Sequence, residues 1–298
     1  MSLRHRIEYW FVRLFMFIAQ NIPLGVCVFA MNILMDTGFY VLKARRGVTL
    51  NNLKFALGRE KSYREILAIA RQVYRGFGYV FIEILRFTKM TPKYILNNTE
   101  INGKECIDEV LKHGKGAVIV SGHIGDMEYM GQVVRVLGYT TSFVVGEQRN
   151  KLVDDLFNNI RMQKGVGIIH RKFPLRHVIK LLRENGVLVL ISDQDAGGGG
   201  LFVDFFGRKA STPQGAALFA VKTGAKLIFS VDFLPDKTNR KHRIFFEPIK
   251  IELTGDEDKD TFNYTQEFTR LLESYVRKYP EQYFWLHRRW KTRPPGEK

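Results

Sequence analysis

From Ser121 to Gly131 the chain reads SGHIGDMEYMG, directly after the apolar run GAVIV. His123, Asp126 and Glu128 fall within this stretch. A histidine held by a carboxylate can serve as a general base. The carboxylate fixes the tautomer at one ring nitrogen and stabilises the imidazolium, and the other nitrogen takes a proton from a hydroxyl. Within a helix a five-residue step turns about 140°. His123 and Glu128 therefore meet only if His123 lies in the turn before a helix and Glu128 in its first turn. Asp126 is placed as the N-cap of MEYMGQVV, where it accepts from free backbone N–H groups. The expected division is Asp126 for structure, Glu128 as partner, His123 as base.

No enzyme nucleophile is evident. Ser121 is near but lacks a GxSxG context. Neither Cys27 nor Cys106 stands beside a histidine in the sequence. A dyad without a nucleophile suits direct activation of an acceptor hydroxyl. A zinc site would need HExxH spacing or an evident third ligand, and neither is present, so no metal is expected. Other polar residues follow apolar runs: His170 and Arg171 after VGII, and Asp193, Gln194 and Asp195 after VLVLIS. Arg171 has the chemistry to clamp a phosphate. Arg149, just past TSFVV, has the same chemistry, with a plain exposed arginine as the simpler reading. The loop after Asp195 holds four glycines, which permit close backbone approach to a ligand. LFVDFF then reads either as a wall for an acyl chain or as an ordinary hairpin. Thr212-Pro213 is expected to open a helix whose free N–H groups suit an anion.

These residues need a scaffold, and the pattern supplies one. From Gly116, short β-branched runs (AVIVS, TSFVV, VGIIH, VLVLISD) alternate with helical runs, and Gly138, Gly186 and Gly224 sit at helix stops. This order predicts an α/β domain with a largely parallel sheet flanked by helices. AKLIFSVDFL and HRIFFEPIKIEL are expected to pair as an antiparallel edge, with a last helix over 262–278. Ligands of such sheets gather at the carboxyl ends of strands, so the three polar clusters are expected to share one crevice. Ile66, Ile69, Val73, Phe77, Val80 and Ile84 recur at helical spacing. The first 95 residues are read as a helical, membrane-associating region and 96–298 as the α/β domain.

Leu14 to Leu34 has the length to cross a bilayer core, which takes about 20 apolar residues. Gln20, Asn21, Pro23 and Asn32 interrupt it, and cations lie on both sides. Two readings stand: a single span, or paired helices in the interface on anionic headgroups. Net charge is +16, which attracts polyanions. Zinc-finger spacing and RNA-binding aromatic signatures are lacking, so no nucleic acid is expected. The two cysteines make no disulfide framework.

The chain resembles the bacterial lipid A secondary acyltransferases, within the glycerolipid and lysophospholipid acyltransferase superfamily. HIGDME carries the superfamily's first motif, histidine, four residues, then Asp or Glu. GVGIIHRK carries the second, with Arg171. SDQDAGGGGLFVDFFGRKASTPQGAALFAVKTGA carries the third, with Asp193 and Asp195. PEQYFWLHRRWKTRP is the branch's most specific signature, and RRGVTLNNLKFAL also fits. The resemblance implies acyl transfer from acyl carrier protein to a hydroxyl of a Kdo-modified lipid A precursor, without cofactor, at the cytoplasmic face of a bacterial inner membrane with its anionic lipids. His123 is then the base and Glu128 its partner. Arg171 binds phosphate, and Asp193 and Asp195 position Arg171 or the sugar. Ala196 and the glycines depart from relatives with a tyrosine after the second aspartate. Three alternatives remain: acylation of another glycolipid or lysophospholipid, possibly from acyl-CoA; a Ser121/His123 esterase; and a non-enzymatic basic membrane protein.

Overall fold

The computed structural model describes residues 2–171, 175–235 and 241–297. Five helices come first: α1 (Leu3–Asn21), α2 (Leu24–Tyr40), α3 (Arg46–Leu57), α4 (Tyr63–Arg86) and α5 (Pro92–Asn97). Strand and helix then alternate: β1 (Thr99–Asn102), α6 (Glu105–Leu111), β2 (Ala117–Ser121), α7 (Met127–Val136), β3 (Thr141–Val145), α8 (Lys151–Gln163), β4 (Gly167–His170), α9 (Arg176–Arg183) and β5 (Val187–Ile191). A hairpin of β6 (Leu201–Phe205) and β7 (Arg208–Thr212) follows, then α10 (Gly215–Thr223), β8 (Lys226–Phe233), β9 (His242–Pro248) and α11 (Glu257–Lys278). Pro174, with which the run before Gly186 was expected to open, lies outside the described residues.

Seven strands form one sheet in the order β1-β9-β8-β2-β5-β3-β4. Only the β8–β9 pairing is antiparallel. The expected largely parallel α/β sheet is therefore present. The last two long strands do pair antiparallel, but β9 is not the edge, because β1 lies parallel outside it. β1 reads TEIN and carries too little apolar pattern to be seen in advance. β2 is buried at every position, as expected for a strand with helices on both faces. The strands β8, β2, β5, β3 and β4 run the same way, so their carboxyl ends share one edge.

α4 opens with a Ser62–Glu65 capping box. Its face turns Ile66 and Val73 into the core but leaves Phe77 45% exposed. One core cluster joins Phe39, Leu53 and Ile66 of the helices to Val118 and Val120 of the sheet and to Trp285. Each such fully buried apolar side chain contributes about 1.5–3 kcal/mol. The apolar run Leu14–Leu34 is two helices parted at Ile22–Pro23, as the ring at Pro23 requires. Among the described residues no helix is long and apolar enough to cross a membrane.

Candidate active site

The turn between β2 and α7 is tight because Gly125 permits it. Its φ is +61°, and a Cβ there would lie 1.5 Å from the Asp232 carbonyl oxygen, so a larger residue would be both strained and blocked. The C-terminal segment runs beside this turn. Gly125 N–H donates to the Gln282 carbonyl and Phe284 N–H to the His123 carbonyl, both at 2.9 Å. Asp126 caps α7, its Oδ1 accepting from the N–H groups of Glu128 and Tyr129 at 2.9 Å each.

β2 and β5 are parallel neighbours with Ser121 opposite Ile191. Two residues beyond each strand end stand His123 and Asp193, and they meet. His123 Nδ1 lies 2.5 Å from Asp193 Oδ1, and the His123 backbone N–H donates to Asp193 Oδ2 at 2.9 Å. Burial alone would lower the proton affinity of His123, but the charge and hydrogen bond of Asp193 outweigh it and raise its pKa above the ordinary 6.5. Burial alone would raise the pKa of Asp193, but His123, with the charge of Arg289, brings it below the ordinary range. With the Nδ1 proton held by Asp193, Nε2 carries a lone pair. The Gln194 amide lies 3.2 Å from it and donates to it. The His123 side chain is 22% exposed, Asp193 only 2%: an accessible base on a buried counter-charge.

The expected His123–Glu128 pair does not form. Glu128 sits in the first turn of α7, as expected, but its carboxylate takes both ends of the Arg161 guanidinium, with Nε–Oε2 at 2.9 Å and a second bond from Nη2 to Oε1. Capping by Asp126 sets the start of α7, and the Glu128 side chain meets α8 rather than the turn. Asp193, assigned in advance to Arg171 or the sugar, is the residue that holds the histidine.

A cavity of about 650 Å³ lies over the strand ends and is lined by His123, Glu128, Arg161, Arg171, Gln194 and Asp195, among others. The polar clusters after β2, β4 and β5 thus share one crevice. Arg149 is exposed and does not line it. Asp195 is turned to the C-terminal segment: Oδ1 accepts from Thr292 N–H at 3.1 Å and Oδ2 from the Thr292 hydroxyl at 2.9 Å. Its own N–H donates to His287 Nε2 at 2.9 Å. Ser121 is buried, and its hydroxyl donates to the Gly122 carbonyl at 3.2 Å rather than to His123. LFVDFF forms the first strand and turn of a hairpin, with Val203 and Phe205 buried; Phe205 stacks on Trp290 at 5.5 Å and does not line the cavity at His123. α10 starts at Gly215 with Gln214 as N-cap, two residues later than expected, since Thr212 is still paired in β7. Pro213, Gln214 and Gly215 line the cavity, so the first N–H groups of α10 lie at its wall.

A second, apolar cavity of about 130 Å³ meets the first at His123 and Met127. Val73, Phe77, Val80 and Ile84 of α4, with Leu234 and Phe284, line it. Phe284 lies 6.0 Å from the His123 ring and 5.3 Å from Phe77. His123 therefore stands at the junction of a larger chamber of mixed lining, the polar chamber by its arginines and carboxylates, and a smaller apolar one.

Several supporting residues were not foreseen. Arg161 follows Asp154 and Asn158 at helical spacing on the inward face of α8; such polar residues on a buried stripe were the available signal. Arg289, 2% exposed, donates to the Ser211 carbonyl at 2.6 Å and to Thr212 Oγ1, and its charge reaches Asp193. Under the turn lies a sealed cluster. His242 is held by Asp232 at 2.8 Å and Glu83 at 3.0 Å and stacks on Tyr129 with ring centroids 3.8 Å apart. Burial, then the charge of Glu83, pushes Asp126 beside it well above the ordinary carboxylate range.

A profile of the bacterial lipid A biosynthesis acyltransferase family matches residues 1–292. The chain is 24% identical to a lipid A biosynthesis palmitoleoyltransferase of Escherichia coli K12 over 260 residues, covering 86% of this chain and 82% of the relative. It is 29% identical to a lipid A biosynthesis lauroyltransferase of the same organism over 259 residues, with the same coverage. A phosphatidylinositol mannoside acyltransferase of Mycobacterium tuberculosis CDC 1551 is 27% identical over 159 residues, 51% of this chain and 50% of the relative. The chain belongs to the bacterial lipid A biosynthesis acyltransferase family, and is an O-acyltransferase.

Proposed function

We propose that the protein transfers a fatty acyl group from acyl carrier protein to a hydroxyl of a lipid A precursor, with His123 as general base. The observation that carries this is His123 itself, held at Nδ1 by Asp193, with Nε2 at the cavity wall where the Gln194 amide now sits and the acceptor hydroxyl would replace it, between the arginine-lined chamber and the apolar one. Nε2 takes the proton of the acceptor hydroxyl as its oxygen attacks the thioester carbonyl. The tetrahedral intermediate collapses, the C–S bond breaks, and the imidazolium returns the proton to the leaving thiolate. Asp193 holds the productive tautomer and stabilises the imidazolium between these steps.

Arg161 and Arg171 line the polar chamber, and α10 adds uncapped N–H groups. That combination suits phosphate or phosphorylated sugar. The apolar chamber suits hydrocarbon. Glu128 acts through Arg161, holding its guanidinium at the wall. A net charge of +16 suits an acidic carrier protein and a phosphorylated lipid at the cytoplasmic face of the inner membrane. The mycobacterial relative favours a second reading, in which the acceptor is another glycolipid. Mass spectrometry of lipid A from cells with and without the protein separates them. One added acyl chain supports the first reading; an unchanged lipid A with a changed second glycolipid supports the other.

A further inference from the structure

Large apolar side chains stand exposed along one side of α1: Leu3, Ile7, Trp10, Leu14 and Phe17, at a spacing that puts them on a single stripe. On α2, Val26, Phe29 and Ile33 are exposed as well, and just past its end Val41 and Leu42 are 71% and 70% exposed. Scattered exposed leucines need no explanation, but so many large apolar side chains exposed on two successive helices mark an interaction site. Cations accompany it: Arg4 and Arg6 at the start of α1, Arg13 in its middle, and Lys43, Arg45 and Arg46 after the end of α2.

The opposite side of both helices is fastened to the catalytic body along its length. Near the start of α1, Asn150 at the cap of α8 donates to the His5 carbonyl and to Glu8, both at 2.9 Å. In its middle, Met16 is buried in the same core cluster as Leu85 and Ile160. At its end, Gln20 donates to the Leu85 carbonyl at 2.8 Å, and Arg86 donates to the carbonyls of Ala19 and Ile22. α2 is fastened to α4 by Asp36, which accepts from both Arg71 and Arg75. Phe39 is fully buried against Tyr74 at 5.1 Å. Standing α1 or α2 upright through a bilayer would break these contacts and strip partners from Asp36, Arg71 and Arg75.

We infer that α1 and α2 form an in-plane anchor: two successive helices lying flat in one leaflet, their exposed apolar side chains among acyl chains and their cations on anionic headgroups, without crossing the membrane. The occupant is a lipid surface, because an apolar face accompanied by cations complements an apolar layer framed by phosphates. This rests on the reading that the acceptor is a membrane lipid. α4, which carries both helices, also walls the apolar chamber beside His123, so helices lying flat set that chamber next to the lipid layer.

The test uses the full chain with vesicles of phosphatidylglycerol and phosphatidylethanolamine. Trp10 fluorescence is quenched most by lipids brominated near the headgroup and least by those brominated at the chain end; the reverse order overturns the inference. With Cys27 and Cys106 replaced by Ala, Asn21→Cys in sealed inner-membrane vesicles of both orientations is never labelled by an impermeant maleimide from the face opposite the catalytic body. Labelling from that face overturns it. Phe17→Ser with Phe29→Ser weakens vesicle binding by more than about tenfold, while acyl transfer to a detergent-dispersed acceptor persists. Unweakened vesicle binding by this variant sinks the anchor and leaves the enzyme reading standing. No transfer by the wild type sinks the enzyme reading and leaves the anchor standing. Wild-type protein that ignores vesicles and self-associates through Phe17 and Phe29 overturns the anchor in favour of a second copy.

Discussion

His123 and His242 are both held by carboxylates, and they sit on either side of one turn. His123 has Asp193 on Nδ1 and a cavity before Nε2. His242 has Asp232 on Nδ1 and Glu83 on Nε2, and its side chain is 3% exposed. Asp193 raises the pKa of His123, and burial, opposed by the charges of Asp232 and Glu83, leaves His242 raised further. A histidine–carboxylate pair is therefore not by itself a catalyst. A ring with one nitrogen on a carboxylate and the other facing a cavity, held only by the neutral amide of Gln194, can move a substrate's proton; a ring with both nitrogens on buried carboxylates is a buried charge that joins α4, β8 and β9.

Substitution breaks the comparison most sharply at the two imidazoles. His123→Ala lowers the rate of acyl transfer by about 10²–10⁴-fold and costs less stability than His242→Ala, since the one carboxylate it leaves, Asp193, keeps the backbone N–H of residue 123 and the charge of Arg289. Asp193→Asn loses much of the same factor, and the two losses are not additive because the pair acts as a unit. His242→Ala does the opposite: it leaves Asp232 and Glu83 buried without their cation and costs about 3–5 kcal/mol of stability. The rate per folded molecule changes by less than about tenfold. Denaturant unfolding alongside single-turnover transfer checks both. If His242→Ala lost activity at full stability, the division between the two histidines would be wrong.

pH sharpens the same contrast. A histidine whose folded pKa is raised contributes stability that is fully present below about 6.5 and is lost as pH rises through the folded value. His242 and His123 both follow this sign, and the raised carboxyls of Asp126 and Asp232 act in the same direction. Stability of the wild type therefore falls as pH is raised above 6.5, and His242→Gln flattens that fall. The acid limb of kcat behaves differently. Activity needs neutral His123, so the limb lies above 6.5 in the wild type and moves to lower pH in Asp193→Asn. An unmoved limb would remove Asp193 from the base.

Alternating runs and helix stops made the parallel sheet legible, and strand ends made the crevice legible. The partner of His123 was not, because local spacing draws attention to Glu128, five residues away, while the partner is 70 residues on. Strand register brings them together: AVIVSGH and VLVLISD place His123 and Asp193 at the same distance past paired strands. The signal was present, but it becomes readable only once β2 and β5 are known to be neighbours. The C-terminal signature was legible as a pattern without a role. Its role is to lie along the turn and brace it, through Phe284 on the His123 carbonyl and Arg289 beside Asp193. The stretch LFVDFF left two readings open, a wall for an acyl chain or an ordinary hairpin, because apolar residues that pack on Trp290 resemble apolar residues that would face a lipid; the hairpin is what forms.

The smallest expected effect tests the residue that changed partners. Glu128→Gln keeps the shape of the side chain and removes its charge, so Arg161 loses a carboxylate and keeps an amide. A charge-assisted hydrogen bond at a partly exposed site is worth about 1.5 kcal/mol, or roughly tenfold. The loss is expected in KM for a phosphorylated acceptor, with kcat nearly unchanged and the acid limb unmoved, because Asp193 still holds His123. Were Glu128 the histidine's partner, the limb would move to lower pH and kcat would fall as far as in Asp193→Asn. Arg161→Gln completes the cycle. If Glu128 works only by holding Arg161, the double variant is no worse than Arg161→Gln alone, whereas additive losses would give Glu128 a role of its own in the chamber.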